Sequence, residues 1–146
     1  MKKALLFALA LAVIPVGVDA QVSDLEQTRA RAEQGDALAQ YDLGAMYSHG
    51  FGVPEDAAEA ARWYRLAAEQ GDAFAQTGLG FLYALGEGVP QDFVLAYMWL
   101  NLAAAQGNEA AQGLKDRIAQ QMTREQIAEA QRLSREWIEA HPPGGN

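Results

Sequence analysis

The chain has no cysteine and only two histidines, His49 and His141. Without thiols there is neither a disulfide framework nor a thiolate nucleophile, so packing alone must hold the fold. The histidines form no H-x-x-x-H pair and give zinc little to bind. Serine is as scarce: Ser23, Ser48 and Ser134 complete the set. Ser48 precedes His49, but neighbouring residues on a helix point about 100° apart and do not make a dyad. Positive charge is also short, with 11 Lys and Arg against 19 Asp and Glu, for a net charge of −8. A chain this acidic, with no basic stripe, repels phosphate backbones and anionic lipid surfaces, so no nucleic-acid partner is expected. Acidic pairs such as Glu55-Asp56 read as helix-start charges. No catalytic residue, metal site or cofactor is expected, and the chain is read as a non-enzyme.

Long apolar runs are confined to the N-terminus. Lys2 and Lys3 precede an apolar stretch over residues 4–18, and Val18-Asp19-Ala20 offers small residues for cleavage after Ala20. That is the pattern of a secretory leader, residues 1–20. The stretch is shorter than the roughly 20 residues a membrane span needs. The expected mature chain starts at Gln21, carries no membrane insertion and is periplasmic or secreted. Residues 22–33 read as a short, mostly polar helix capped by Ser23 or Asp24, with Leu25 as its main apolar residue, covering the start of a stack of repeats.

What the chain does have is a repeat. Residues 32–67 recur at 68–103 with an offset of 36. The offset carries Gly35 onto Gly71, Gln40 onto Gln76, Leu43-Gly44 onto Leu79-Gly80, Tyr47 onto Tyr83 and Trp63 onto Trp99. Self-similarity at such a period marks a repeat architecture. Gly35-Asp36, Gly71-Asp72 and Gly107-Asn108 are stop-start signals, the glycine closing one helix and the polar residue capping the next. Each unit reads as two helices. Helix A spans 37–48 and 73–84, with Ala39, Leu43, Met46 and Tyr47 (then Ala75, Leu79, Leu82 and Tyr83) on one face. Gly44 and Gly80 beside that face predict an approach too close for a β-carbon, since glycine inside a helix otherwise costs about 1 kcal/mol. Helix B spans 56–69 and 92–105, capped by Asp56 and Asp92. Its apolar face is Ala60, Trp63, Leu66 and Ala67, then Ala96, Trp99, Leu102 and Ala103. The loops Gly50 to Pro54 and Gly86 to Pro90 follow helices and lack a GK[ST] sequence, so they read as turns and not as phosphate cradles.

A third copy begins at residue 104, but Lys115-Asp116 stand where Leu-Gly should recur. It reads as an altered helix A over 108–120 (Ala111, Leu114, Ile118). A last helix then opens at the capping box Thr123 to Gln126 and runs to about residue 140. Its apolar face is Ile127, Ala130, Leu133, Trp137 and Ile138, and residues 141–146 form a flexible tail.

The string A-x-x-G-x-x-x-A-Q-x-x-L-G-x-x-Y-x-x-G-x-G-V-P-x-D, followed by A-x-x-W-x-x-x-A-A-x-Q-G, resembles the Sel-one-like repeat family, a relative of the tetratricopeptide repeat. Ala32, Gly35, Ala39-Gln40, Leu43-Gly44, Tyr47, Gly50, Gly52-Val53-Pro54, Asp56, Ala60, Trp63 and Ala67-Ala68 carry it, and the second copy repeats every one. The resemblance implies an all-α fold, an α/α superhelical solenoid of antiparallel helix pairs with terminal capping helices, over residues 21–140. Its full repeats are 32–67 and 68–103, with a degenerate unit and capping helix at 104–140. It implies helices A lining a concave face. It also implies an adaptor or scaffold that binds a protein or peptide, here in the bacterial envelope.

The alternative is a hydrolase or binder acting on envelope material or β-lactam-like compounds. The relatives associated with β-lactams are cysteine-rich, which this chain is not. Recognition is expected where the two copies differ on the surface opposite the core: Tyr41, Ala45 and Ser48 against Thr77, Phe81 and Ala84. Self-association through the open ends of the stack is compatible with that reading.

Overall fold

The computed structural model describes residues 16–144, and side chains from Asp24 onward. Among the described residues there are seven helices and no strand. They are α1 (Val16–Glu33), α2 (Ala37–His49), α3 (Ala57–Glu69), α4 (Ala73–Leu85), α5 (Phe93–Ala105), α6 (Glu109–Ala119) and α7 (Arg124–Ala140). Each of the first five packs against the next, and the chain is an α/α solenoid. Residues 1–15 of the expected leader lie outside the described residues. Helix α1 starts at Val16, so Ser23 and Asp24 are interior positions and not its cap. Nothing between Val16 and Val22 breaks the backbone, because the only local proline, Pro15, precedes the helix.

Punctuation sets the register. Asp36, Asp72 and Asn108 cap α2, α4 and α6, while Asp56 and Asp92 cap α3 and α5, each accepting a backbone amide of the first turn. Gly50 and Gly86 close α2 and α4 in the left-handed region that only glycine enters without strain. The Thr123–Gln126 capping box opens α7 with both reciprocal bonds present.

Two devices repeat between units. At the first junction the Gln70 side chain donates to Gly35 O (3.0 Å) and Gln40 Oε1 (2.7 Å), and Gln40 in turn donates to Ala32 O. At the second, Gln106 donates to Gly71 O and Gln76 Oε1, and Gln76 to Ala68 O. The second device pairs Arg29 with the Tyr47 hydroxyl and Arg65 with that of Tyr83. Gln40 and Gln76 are buried, and each is satisfied.

The glycines in helices A are explained by their neighbours. A β-carbon on Gly44 would sit 2.6 Å from the Tyr64 ring. One on Gly80 would sit 2.7 Å from Leu100 Cγ and 3.1 Å from the Ala96 carbonyl oxygen. Tyr64 and Leu100 occupy the same position of the repeat. Gly78 closes on the other edge of Tyr64, which is thus held in a slot between α2 and α4.

The end of the stack departs from the repeat. Helix α7 packs against α5, where an ordinary helix B would pack on its own helix A. The Ser134 side chain reaches the Met98 carbonyl, and Trp137 meets Trp99 edge-on with centroids 6.2 Å apart. Lys115 and Asp116 give the reason: an aspartate at the Gly80 position forbids the close approach that a helix B requires. On α6 Gln112 bonds to the exposed Asp116, while Lys115 reaches across to Asn101 on α5.

Two assignments to the apolar faces need correction. Leu66 lies on the outer side of α3, 37% exposed, because no helix covers it. Ile138 is likewise exposed, one position past the Trp137 contact on α7.

Candidate functional site

Helices α2, α4 and α6 share one open face, and a groove of about 300 Å³ runs along it. Of the six residues expected there, Tyr41, Ser48, Thr77 and Phe81 line the groove, while Ala45 and Ala84 do not. Thr77 spends its hydroxyl on the Ala73 carbonyl one turn back and so offers mainly its methyl group. Phe81 is 41% exposed, in the groove and not beneath a neighbouring helix.

Sequence reasoning missed the other eight lining residues, among them Phe74, Tyr64, Leu114 and Asn108. Phe74 stands on α4 seven residues before Phe81, two turns away on the same face, and is 62% exposed. That i, i+7 pair of phenylalanines was the available signal. Tyr64 reaches the groove from α3 through the gap that Gly44 and Gly78 leave, which no periodicity within one helix could reveal. Leu114 and Asn108 come from the third unit, whose altered pattern hid its share of the face.

The aromatic rings touch one another. Tyr41 stacks on Tyr64 with centroids 5.8 Å apart and an interplanar angle of 27°, and it meets Phe74 at the same separation. Such offset pairs add attraction beyond their buried area and keep the wall rigid. Burial pushes the Tyr64 hydroxyl up to about 12, with Tyr41 adding to the rise and a hydrogen bond to Ser48 opposing it. Tyr64 is therefore a neutral hydroxyl at any physiological pH and not a base. The His49 ring is set against Phe51 (5.4 Å), and among the described residues no hydrogen bond joins it to Ser48, so the two neighbours do not form a dyad. Among the described residues no cluster of His, Cys, Asp and Glu is arranged to hold a metal ion. The groove can bury apolar surface; it holds no arranged nucleophile and base.

A Sel1 repeat model matches residues 37–72 and again 73–108. The chain belongs to the Sel1 repeat family. The matched units begin at the first residues of α2 and α4 and include the whole of the second junction. Among solved structures, the chain is similar to a protective antigen of uropathogenic Escherichia coli with an SLR fold. There the identity is 36% and the TM-score 0.78, over 82% of this chain and 26% of that one. It is also similar to a Sel1 repeat protein from Oxalobacter formigenes, with 47% identity and a TM-score of 0.59 over 61% of this chain and 26% of that one. The Sel1 chain described here thus spans about a quarter of each. No curated protein matches it in sequence.

Proposed function

We propose that this Sel1-repeat chain is a non-catalytic scaffold that binds a protein or peptide in the groove over α2, α4 and α6, and that it acts after export to the bacterial envelope or beyond. The observation that carries the reading is the pair Phe74 and Phe81. They are large, apolar and solvent-facing in a groove whose remaining aromatics are already packed, and such surface marks a partner site. The residues shared by the repeats serve the scaffold as caps, clasps and close approaches, which leaves recognition to positions where the copies differ.

Repeat phase supports export. Gln21 lies 36 residues before Ala57 and 72 before Phe93, the first residues of α3 and α5. Cleavage after Ala20 would therefore release a chain that begins where a helix B begins. Expressed in a Gram-negative bacterium, the chain should be recovered from the periplasm or medium with Gln21 as its N-terminal residue; retention in the cytoplasm at full length would refute this part.

For the groove, the mature chain and its Phe74→Ala/Phe81→Ala variant are used as paired baits on envelope extract. The variant should keep its thermal midpoint within a few degrees, because both rings are exposed. It should also lose the proteins the native bait retains. Equal retention by both baits would move the binding surface elsewhere.

A further inference from the structure

A second cavity lies away from the groove and shares no lining residue with it. It is an open cleft of about 880 Å³ between α3, α5 and α7, bordered also by the chain that follows α7. The last residues of all three helices line it: Glu69, Ala105 and Ala140. The negative ends of three helix dipoles therefore border one space. Glu69 adds a full charge. It makes no hydrogen bond or ion pair among the described residues, and no Lys or Arg is among the residues lining the cleft. The polar side chains beside it are acceptors. Both hydrogens of the Gln70 amide are spent, on Gly35 O and Gln40 Oε1, which leaves only its carbonyl oxygen to bond. Gln106 is committed in the same way to Gly71 O and Gln76 Oε1. His141 holds Nδ1 2.8 Å from the Trp137 carbonyl oxygen, which can only accept, so the neutral ring leaves Nε2 as an acceptor. Pro142 and Pro143 bring no amide hydrogen. Among the described lining residues the Trp137 indole N–H is the one side-chain donor left. Apolar surface lies between these acceptors. It comes from Leu102, from the half-exposed Ile138 and from the Trp137–His141 stack, whose ring centroids are 4.1 Å apart.

We infer that the cleft binds a small aliphatic amine with more than one ammonium group: its N–H groups donate to Glu69, Gln106 and His141, while its methylene chain lies over Leu102, Ile138 and the Trp137–His141 stack. The site is independent of the groove and of any partner bound there. Its volume falls within the range of small-molecule sites. A carboxylate, amide oxygens and helix C-termini all favour a cation, and charge-assisted N–H bonds are the strong way to satisfy them. The aromatic wall adds attraction for the same charge. An anion meets only repulsion there.

The net charge of −8 attracts any polyamine diffusely, so the test must localise the contact. Spermidine is titrated into the nitrogen-15-labelled mature chain and followed through its amide and indole N–H signals. The Trp137 indole and Gly71 amide signals should shift together and saturate, while the indole of Trp63, buried in the first unit, stays fixed. Glutarate, a dicarboxylate of similar build, should shift neither. Glu69→Gln should bind spermidine roughly three- to five-fold more weakly, the range of an exposed ion pair. It should remain folded, since the change removes a carboxylate from the unfavourable end of a helix dipole. Glu87→Gln deletes the same charge from the exposed loop between α4 and α5 and should leave the affinity unchanged. Equal weakening in the two variants, or shifts spread over the acidic surface without saturation, would overturn the site. Blocked trilysine offers the same charge on a peptide backbone; tighter binding of that probe at the same signals would overturn the small-molecule ligand.

Discussion

Helices α3 and α5 occupy the same position in successive repeats and share their inner faces almost residue for residue, yet their outer faces are opposites. The outward positions are Ala58, Glu59, Arg62 and Leu66 on α3, and Val94, Leu95, Met98 and Leu102 on α5. Each helix has a buried tryptophan to protect. At Trp63 the cover is one side chain, Arg62, whose guanidinium lies 4.2 Å from the ring centroid and pairs with Glu59. At Trp99 the cover is a whole helix, α7, with Trp137 and Ser134 at the contact. The same leucine of the motif is 37% exposed in the first unit and 3% exposed in the second. Repeat identity therefore fixes which residues face the paired helix, while the outer face is set by what lies over it.

The largest effect should come from closing the gap between paired helices, where the two units differ in what can yield. A leucine at Gly80 would run into Leu100, which is fully buried, and into a backbone carbonyl that cannot rotate away. Overpacking of this kind costs about 3 kcal/mol, a large share of the stability of a small domain. Gly80→Leu should abolish cooperative thermal unfolding or lower the midpoint by more than 10 °C or so. At Gly44 the nearest atoms to an added side chain all belong to the Tyr64 ring and none to the backbone, and that ring borders the groove. The loss in Gly44→Leu should be smaller and should come with a distorted groove, visible as lost peptide binding in a folded protein. Equal destabilisation at the two sites would show that Tyr64 is as immovable as Leu100.

The matched leucines test the cover directly. Leu102→Ala should cost about 3 kcal/mol, as truncation of a buried leucine does, and Leu66→Ala less than about 1 kcal/mol. Both are read from denaturant midpoints at constant slope. If the two truncations cost the same, α7 does not hold its place on α5 in solution.

Helix pairing, caps and the close-approach glycines were legible in the sequence because each is enforced locally and then repeated. Asp36, Asp72 and Asn108 are caps by chemistry, and Gly44 and Gly80 advertise a neighbour by lacking a side chain. The identity of that neighbour was not legible: Tyr64 and Leu100 share a position but no chemistry, and they meet their glycines only across a helix pair. Leu66 was misplaced for a similar reason, since its helix would present it correctly if a covering helix existed. A third of the residues lining the candidate site, four of twelve, followed from contrasting the two copies. Phe74 was overlooked because it sits at the start of α4 among cap signals, and Leu114 because its unit had lost the motif. The direction of α7 depends on one aspartate in place of a glycine, whose effect appears only when the helices are set against each other.

The glutamine clasps offer a finer version of the contrast between units, because the motif places the same residue at positions 40, 76 and 112. Gln76 is fully buried, donates to Ala68 O and accepts from Gln106, so it closes the second junction. Its replacement by alanine removes two hydrogen bonds and leaves the Ala68 carbonyl without its side-chain donor, which costs about 1–3 kcal/mol. Gln112 has no such duty. Its amide is spent on the exposed Asp116 of its own helix. The partner it would need belongs at position 142, since the clasping glutamines stand at 70 and 106, and position 142 is Pro142. A proline has neither a side-chain donor nor a backbone amide, so the third clasp cannot form. Gln112→Ala should therefore shift the unfolding midpoint by no more than a surface substitution does, about 0.5 kcal/mol. Gln76→Ala and Gln106→Ala combined should cost less than the sum of the two alone, because each single change already breaks the shared bond. Strict additivity in that double-mutant cycle would mean that the two side chains act separately and that backbone packing, not the clasp, holds the units in phase.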